Sequence, residues 1–279
     1  MKRIILYFLL GLSFYLFAEE RTNAILKAEY NAISHESNNE GDTLQSINKF
    51  ILQMVPGMSY FYNPQSYYVD SMENDPQGRL FYEEALKAAI GQGKDMFKFL
   101  SKQGFMPESR YRSLKDFNNK NIRIWYSNMG NKYRYDIDMY DLTWVLGDSI
   151  KTVGGYECQN AYADYHGRKW EAWFAPDIPI NDGPWQLFGL PGLIMEATTC
   201  DGLYSFEIIG IQECNEPFKP IFEDDRYYIT KRKSFLKQKD YSRKNRAAMV
   251  NAMTNGNVNL PNSINITEKA IDFIETDYH

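Results

Sequence analysis

The chain has 279 residues, 44% hydrophobic and 24% charged, with a formal net charge of −5. That length and apolar content exclude a small disulfide-held scaffold and a wholly disordered chain. The acidic balance disfavours nucleic-acid binding.

The N-terminus places Lys2 and Arg3 ahead of an apolar run over residues 4–17, followed by Ala18. Basic, apolar, then small is the pattern of a secretory signal peptide over 1–18, cut after Ala18. The run is shorter than the ~20 apolar residues a spanning helix needs, and no cysteine near the cut offers a site for a lipid. Cleavage removes two of the 31 basic residues and leaves 29 against 36 acidic ones, a net charge of −7.

Residues 24–33 alternate: Leu26, Ala28, Tyr30 and Ala32 face one way, Lys27, Glu29 and Asn31 the other. Period two predicts a half-buried strand. A polar loop over 35–42 follows, then strands over 48–55 and 58–62 around Pro56-Gly57. Residues 79–102 read as helical, with Phe81, Ala85, Ala88 and Ala89 at helical spacing, interrupted by Gly91 and Gly93. From Asn121 the chain turns to strands, over 122–127, 132–138, 143–146, 150–153, 156–165 and 169–175. A hairpin over 193–199 and 203–212 turns at Asp201-Gly202. Residues 229–253 read as helix, and the tail from Thr254 ends in a weak helix near 268–275.

The sum is an α+β protein. A curved antiparallel sheet of about nine strands forms a half-barrel-like meander with helices packed on one face. Three segments are expected: the signal peptide over 1–18, a single β-rich domain over 19–225 with a helical insertion near 64–104, and a helical C-terminal extension and tail over 226–279.

The most distinctive stretch is Gly183 to Ile194, which holds three Gly, two Pro, a Trp and a Phe and no charge. It reads as a rigid apolar loop with turns at Gly183-Pro184 and Pro191-Gly192. Before it come Gly155-Tyr156-Glu157-Cys158 and Gly167-Arg168-Lys169-Trp170-Glu171-Ala172-Trp173-Phe174; after it comes Asp201-Gly202. This order closely resembles the GLPGLI family, whose namesake sequence stands at Gly189 to Ile194. The resemblance is dense over 141–210 and nearly absent over 64–104 and after 225. It implies a secreted, envelope-associated protein of Gram-negative bacteria and no established activity, so it carries no catalytic residues over. The Gly-Gly-Tyr-x-Cys segment and the strand order also look like the curved half-barrels of lipoprotein carriers of the LolA and LolB type, a likeness of fold alone.

Two readings of the loop stand side by side. In one, Trp185, Phe188 and Leu190 plug one end of the curved sheet. In the other they form the lip of a binding groove or a docking patch. Trp170 and Trp173 fall on opposite faces of their strand; both are core in one reading, and one lines a groove in the other. The candidate binding residues are therefore Trp170, Trp173, Trp185, Phe188 and Leu190.

The candidates for acid–base chemistry are Asp164, His166, Asp177, Asp182, Glu196 and Glu207. His166 is expected in solvent at a hairpin tip, with Arg168 bridging to Asp164. Asp177 and Asp182 are expected to cap backbone amides. Glu196 and Glu207 are expected as cross-strand neighbours that repel unless a cation sits between them. Cys158, Cys200 and Cys214 are not spaced as a zinc site; Cys200 and Cys214 make a poor pair, and free buried thiols stand beside a disulfide through Cys158 as the two readings. Lys231, Arg232, Lys233, Lys237, Lys239, Arg243, Lys244 and Arg246 form a basic stretch, read as a solvated helix face or as a contact for anionic headgroups or an acidic partner.

The leading functional reading is a non-enzymatic periplasmic or outer-membrane-associated binding protein. Its partner is a lipid or other apolar ligand, or an outer-membrane protein, and no cofactor or metal is called for. The alternatives are an envelope hydrolase using paired carboxylates and a structural module of an envelope assembly.

Overall fold

A computed structural model describes residues 23–37, 43–91, 99, 101–102, 104–105, 107–128, 131–220, 226–253 and 274–278. The signal-peptide pattern and most of the tail lie outside the described residues.

Twelve strands form one sheet: β1 (Asn23–Ser37), β2 (Thr43–Val55), β3 (Met58–Tyr62), β4 (Tyr111–Asp116), β5 (Asn121–Asn128), β6 (Asn131–Asp138), β7 (Val145–Val153), β8 (Tyr156–Tyr165), β9 (Arg168–Ala175), β10 (Leu193–Thr199), β11 (Tyr204–Pro217) and β12 (Tyr228–Ile229). Their spatial order is β12-β6-β5-β4-β3-β2-β1-β11-β10-β9-β8-β7. All pairings are antiparallel except β12 with β6. Two meanders, β1 to β6 and β7 to β11, are thus joined where β1 pairs with β11. The single continuous meander expected from the sequence is corrected to this pair, and the fold class is α+β.

Curvature follows from connectivity. β6 and β7 lie ten strand spacings apart in the order, about 48 Å in a flat sheet. The chain from Asp138 to Val145 spans at most about 25 Å, so the sheet bends and brings its two ends towards each other. The connection is anchored in the fold: Met139 is buried in a cluster with Ile122, Ile124 and Tyr135, and Trp144 Nε1 donates to the Phe188 carbonyl at 2.7 Å.

Helices lie on both faces, which corrects the expectation of one. Register places Phe61, Ser113, Ile124 and Tyr135 on a common face. Helix α3 (Arg232–Lys244) stacks Phe235 on Tyr135 there. Helix α1 (Pro64–Asn74) sits opposite: Tyr67 packs on Tyr62, and Asp70 pairs with Arg112. Helix α2 (Pro76–Gly91) follows α1, and α4 (Arg246–Met253) follows α3 after a break at Asn245. The helical region therefore begins at Pro64 rather than 79. Its start has a local cause: Pro64 occupies the first turn, and the Asn63 side chain accepts from the Ser66 amide at 2.8 Å.

The concave face holds the larger core. Tyr30, Leu52, Phe61, Trp170, Phe174 and Phe206 are each at most 5% exposed there. The connection between β9 and β10 runs into it, and residues 182–188 are all buried. Trp185 stacks on Trp170 at 5.4 Å, while its carbonyl accepts from Ser113 Oγ of β4 at 3.3 Å. One connection thus touches strands of both meanders.

Gly192 and Gly183 permit this path. A Cβ on Gly192 would stand 2.2 Å from the Ala175 carbonyl oxygen, and one on Gly183 2.7 Å from Ile194 Cβ. Trp185 itself has a φ of 54°, a left-handed conformation that costs a side-chain-bearing residue on the order of 1–3 kcal/mol. Its aromatic contacts and the surrounding hydrogen bonds offset that cost.

Candidate functional site

Between the two meanders, the concave face holds a half-open cavity of about 200 Å³. Phe50 from β2, Phe61 from β3, Phe206 from β11 and Trp185 from the buried connection line it, and Phe235 and Leu236 of α3 close one side. Period two aims the strand residues inward, and Phe235-Leu236 is the apolar minority of an otherwise charged helix. Ser34, Asn48, Ser109, Lys239 and Glu275 add polar groups. The volume somewhat exceeds the ~150 Å³ of an engineered apolar cavity that admits benzene. Its shape and lining suit one ring or a short apolar chain carrying a polar end.

A polar cluster borders the cavity. Glu275 is 3% exposed. It accepts from Arg232 Nε at 2.5 Å, Gln186 Nε2 at 3.2 Å and Tyr135 OH at 3.4 Å. Gln186 Oε1 meets His166 Nε2 at 2.9 Å, and His166 Nδ1 lies 3.7 Å from Asp277. Burial pulls the His166 pKa below its ordinary value; Glu275 and Asp277 oppose that shift and Arg232 adds to it. Arg232 also pairs with Asp277, and its pKa is raised because these partners outweigh the cost of burial. Together these contacts fasten residues 274–278 over the cavity: Thr276 N donates to the His166 carbonyl at 3.0 Å, and Arg168 Nε to the Ile274 carbonyl at 3.1 Å.

Of the five aromatic and aliphatic residues singled out by the sequence, Trp185 lines the cavity. Trp170 and Leu190 are buried in the main core, and Phe188 sits in the second cluster against Phe117. Trp173 lies on the opposite face of the sheet, under the Lys151 ammonium at 4.3 Å.

The acid–base candidates do not converge. Asp177 is exposed, and Asp164 is exposed with Lys169 at 3.5 Å. Arg168 pairs instead with Asp201, which corrects the expected bridge to Asp164. His166 is not in solvent: its side chain is only 7% exposed. Asp182 does cap the Gly183 amide, at 2.7 Å, but its main partner is the buried Lys115. Glu196 and Glu207 stand directly opposite in register, with Lys151 bound to Glu196 at 2.7 Å. All three cysteines are free: Cys158 buried, Cys200 exposed, Cys214 half-buried. Among the described residues, no group of three or more His, Cys, Asp or Glu is arranged to hold a metal ion.

Sequence reasoning missed Tyr135, Phe206 and Glu275. Phe206 was accessible from strand alternation. Glu275 was not, because its partners lie 43 to 140 positions away.

A family model described as "Protein of unknown function (Porph_ging)" matches residues 164–196. That stretch contains the Gly189 to Ile194 sequence behind the GLPGLI resemblance, though the matching model does not bear that name. No curated protein matches the chain. Two solved structures of PNGF-II, in P21 and C2 space groups, are 12% and 13% identical, with TM-scores of 0.47 and 0.46. Each match covers 79% of this chain, which spans about a third of the PNGF-II chain, 34% and 33%. A domain from Vibrio parahaemolyticus described as an outer membrane lipoprotein-sorting protein is 8% identical, with a TM-score of 0.25 over 77% of this chain and 92% of that one. These weak likenesses carry no argument about activity.

Proposed function

We infer that this chain is a non-enzymatic binding protein of the cell envelope that holds a small, largely apolar ligand between its two meanders. The aromatic cavity beside Trp185 carries that reading. Ligand sites are concave and mostly apolar, with a few placed polar groups, and this cavity has that composition. Export across the inner membrane, to the periplasm or the outer membrane, is read from the basic-apolar-small pattern before Glu19.

The hydrolase alternative has less to stand on. A glycosidase-type pair needs two carboxylates about 5–9 Å apart across an open cleft. Glu196 and Glu207 are direct cross-strand neighbours with Lys151 bound to Glu196, and Asp182 is committed to Lys115. Glu275 borders the cavity but is held by Arg232.

Native mass spectrometry of protein taken from its own cells, with calorimetric titration of p-cresol as a probe, tests the binding reading. Wild-type protein is expected to carry a small molecule or to bind the probe. Ala32→Leu, which fills the cavity from β1, is expected to lose both while its melting temperature holds or rises. An empty wild-type protein that also ignores the probe overturns the reading.

A further inference from the structure

Helix α3 has two unlike faces. Its inner face puts Phe235 and Leu236 against the cavity. Its outer face carries Lys233, Lys237 and Tyr241 at successive four-residue steps, a single stripe on an α-helix. Lys231 stands at the cap position, and exposed Tyr228 and Ile229 of β12 lie three and two residues before it. Tyr228, Ile229 and Tyr241 expose 63%, 70% and 62% of their surface.

The cations of this helix differ in their partners, and Lys239 lies over the Tyr126 ring at 4.4 Å. Arg232 is held by Glu275 and Asp277, and Arg243 and Lys244 pair with Asp240. Lys231, Lys233 and Lys237 are exposed, and among the described residues none has an ion-pair partner. The first turn contains no acid, and Lys231 and Lys233 stand at the positive end of the helix, where the backbone dipole disfavours them, with Lys237 one turn further on. They create a local positive field on a chain whose formal net charge is −5.

We propose that this face docks the protein on an anionic lipid surface, with Lys231, Lys233 and Lys237 meeting the headgroups and Tyr241, on the same stripe, entering the interfacial layer. Lysines beside an exposed tyrosine match both chemistries of that layer. The geometry also sets the cavity wall directly behind the docked helix. The proposal goes beyond the ligand reading and does not depend on it, because vesicle binding is measured without any ligand.

The test is co-sedimentation of the full-length mature protein with vesicles, either pure phosphatidylcholine or containing about 30% phosphatidylglycerol. Binding is expected only to the anionic vesicles, at about 50 mM salt, and is expected to fall sharply by about 500 mM. Each lysine-to-glutamine change is expected to lower the partition coefficient about fivefold. Lys231→Gln with Lys233→Gln and Lys237→Gln is therefore expected to lower it about a hundredfold. The corresponding triple arginine variant keeps the charge and is expected to keep binding. The circular dichroism melt of the triple arginine variant is expected to match wild type and that of the glutamine variant to match or slightly exceed it, since the side chains are exposed and the helix dipole disfavours the charges at its start. Equal binding to neutral and anionic vesicles, or no binding to either, overturns the proposal. So does wild-type affinity in the glutamine variant, or retention on a polyglutamate matrix without vesicle binding, which points to an acidic protein instead.

Discussion

The Lys115 ammonium lies 2.5 Å from the Asp182 carboxylate, and neither side chain exposes more than 2% of its surface. The same nitrogen reaches the Gly183 carbonyl at 2.5 Å and the Leu187 carbonyl at 3.0 Å. One side chain of β4 therefore fastens the buried connection between β9 and β10 across the concave face. Burial lowers the lysine pKa, and the Asp182 charge opposes that shift. All three ammonium donors have acceptors, which lets a charge sit in the core.

Removing one member of this pair leaves the other charge buried without compensation. Lys115→Ala is expected to cost about 3–5 kcal/mol, the range for breaking a buried ion pair. Lys115→Met combined with Asp182→Asn keeps volume and leaves an acceptor for the Gly183 amide. It is expected to cost clearly less than Lys115→Ala. Urea denaturation of both variants checks the order, and a Lys115→Ala protein within about 1 kcal/mol of wild type refutes it.

Gly192 passes so close to Ala175 that any side chain collides with backbone. Backbone cannot rotate aside as a flexible side chain can, so the connection itself must shift. Gly192→Ala is expected to cost about 1–3 kcal/mol. Gly202, at the β10–β11 turn, has nothing within 4 Å of an added Cβ but a φ of 72°. Gly202→Ala is thus the control for backbone strain alone. Parallel thermal melts separate the two causes, and equal losses at both positions contradict the clash.

Legibility in the sequence tracked apolar alternation. The bounds of β8 and β10 are read correctly at 156–165 and 193–199: buried and exposed residues alternate over the second half of β8, and β10 is a mostly buried run set between Gly192 and the Asp201-Gly202 turn. β4 escaped because Tyr111-Arg112-Ser113-Leu114-Lys115-Asp116 contains one aliphatic residue. Its buried positions are polar groups satisfied across the fold: Arg112 by Asp70 and Tyr227, Ser113 by Trp185, Lys115 by Asp182. No pattern rule reveals partners that distant. The same limit applied to the cavity. Trp185 was legible from the uncharged loop, whereas Glu275 sat in a tail that offered only weak helical spacing. The two helical faces were equally hidden, since α1 packs on residues of the sheet that look no different in sequence from those under α3.

On the opposite face, Lys151 lies between Glu196 and the ring of Trp173, at 2.7 Å and 4.3 Å. Glu207 stands opposite Glu196 in register. Removing the lysine exposes the like-charge pair and the ring together. Because the group is partly solvated, Lys151→Ala is expected to cost only about 0.5–1 kcal/mol. Lys151→Ala with Glu196→Gln is expected to recover part of that loss. A double-mutant cycle by urea unfolding measures the coupling, and additive effects show that the lysine does not act on Glu196.

His166 is the group through which mild acid reaches the cavity. Its pKa is lowered in the folded protein, chiefly by burial. Protonation is therefore easier after unfolding, and the unfolded chain takes up the proton first. In the window between its unfolded value, about 6.5, and its lower folded value, the unfolded state binds more protons. Stability rises with pH there and falls on acidification. Asp277 and Asp201 have lowered pKa values, so their losses come in stronger acid, below the usual carboxylate range. Asp70, whose pKa burial raises, contributes the opposite slope. The difference between wild type and His166→Gln isolates the histidine from these. His166→Gln is expected to lose less stability than wild type between pH 6.5 and pH 5, since glutamine carries no proton into the unfolded state. Its amide can still meet Gln186, so the contact to residues 274–278 need not be lost. Urea midpoints measured across that range decide it: parallel curves for the two proteins show that His166 does not titrate against folding.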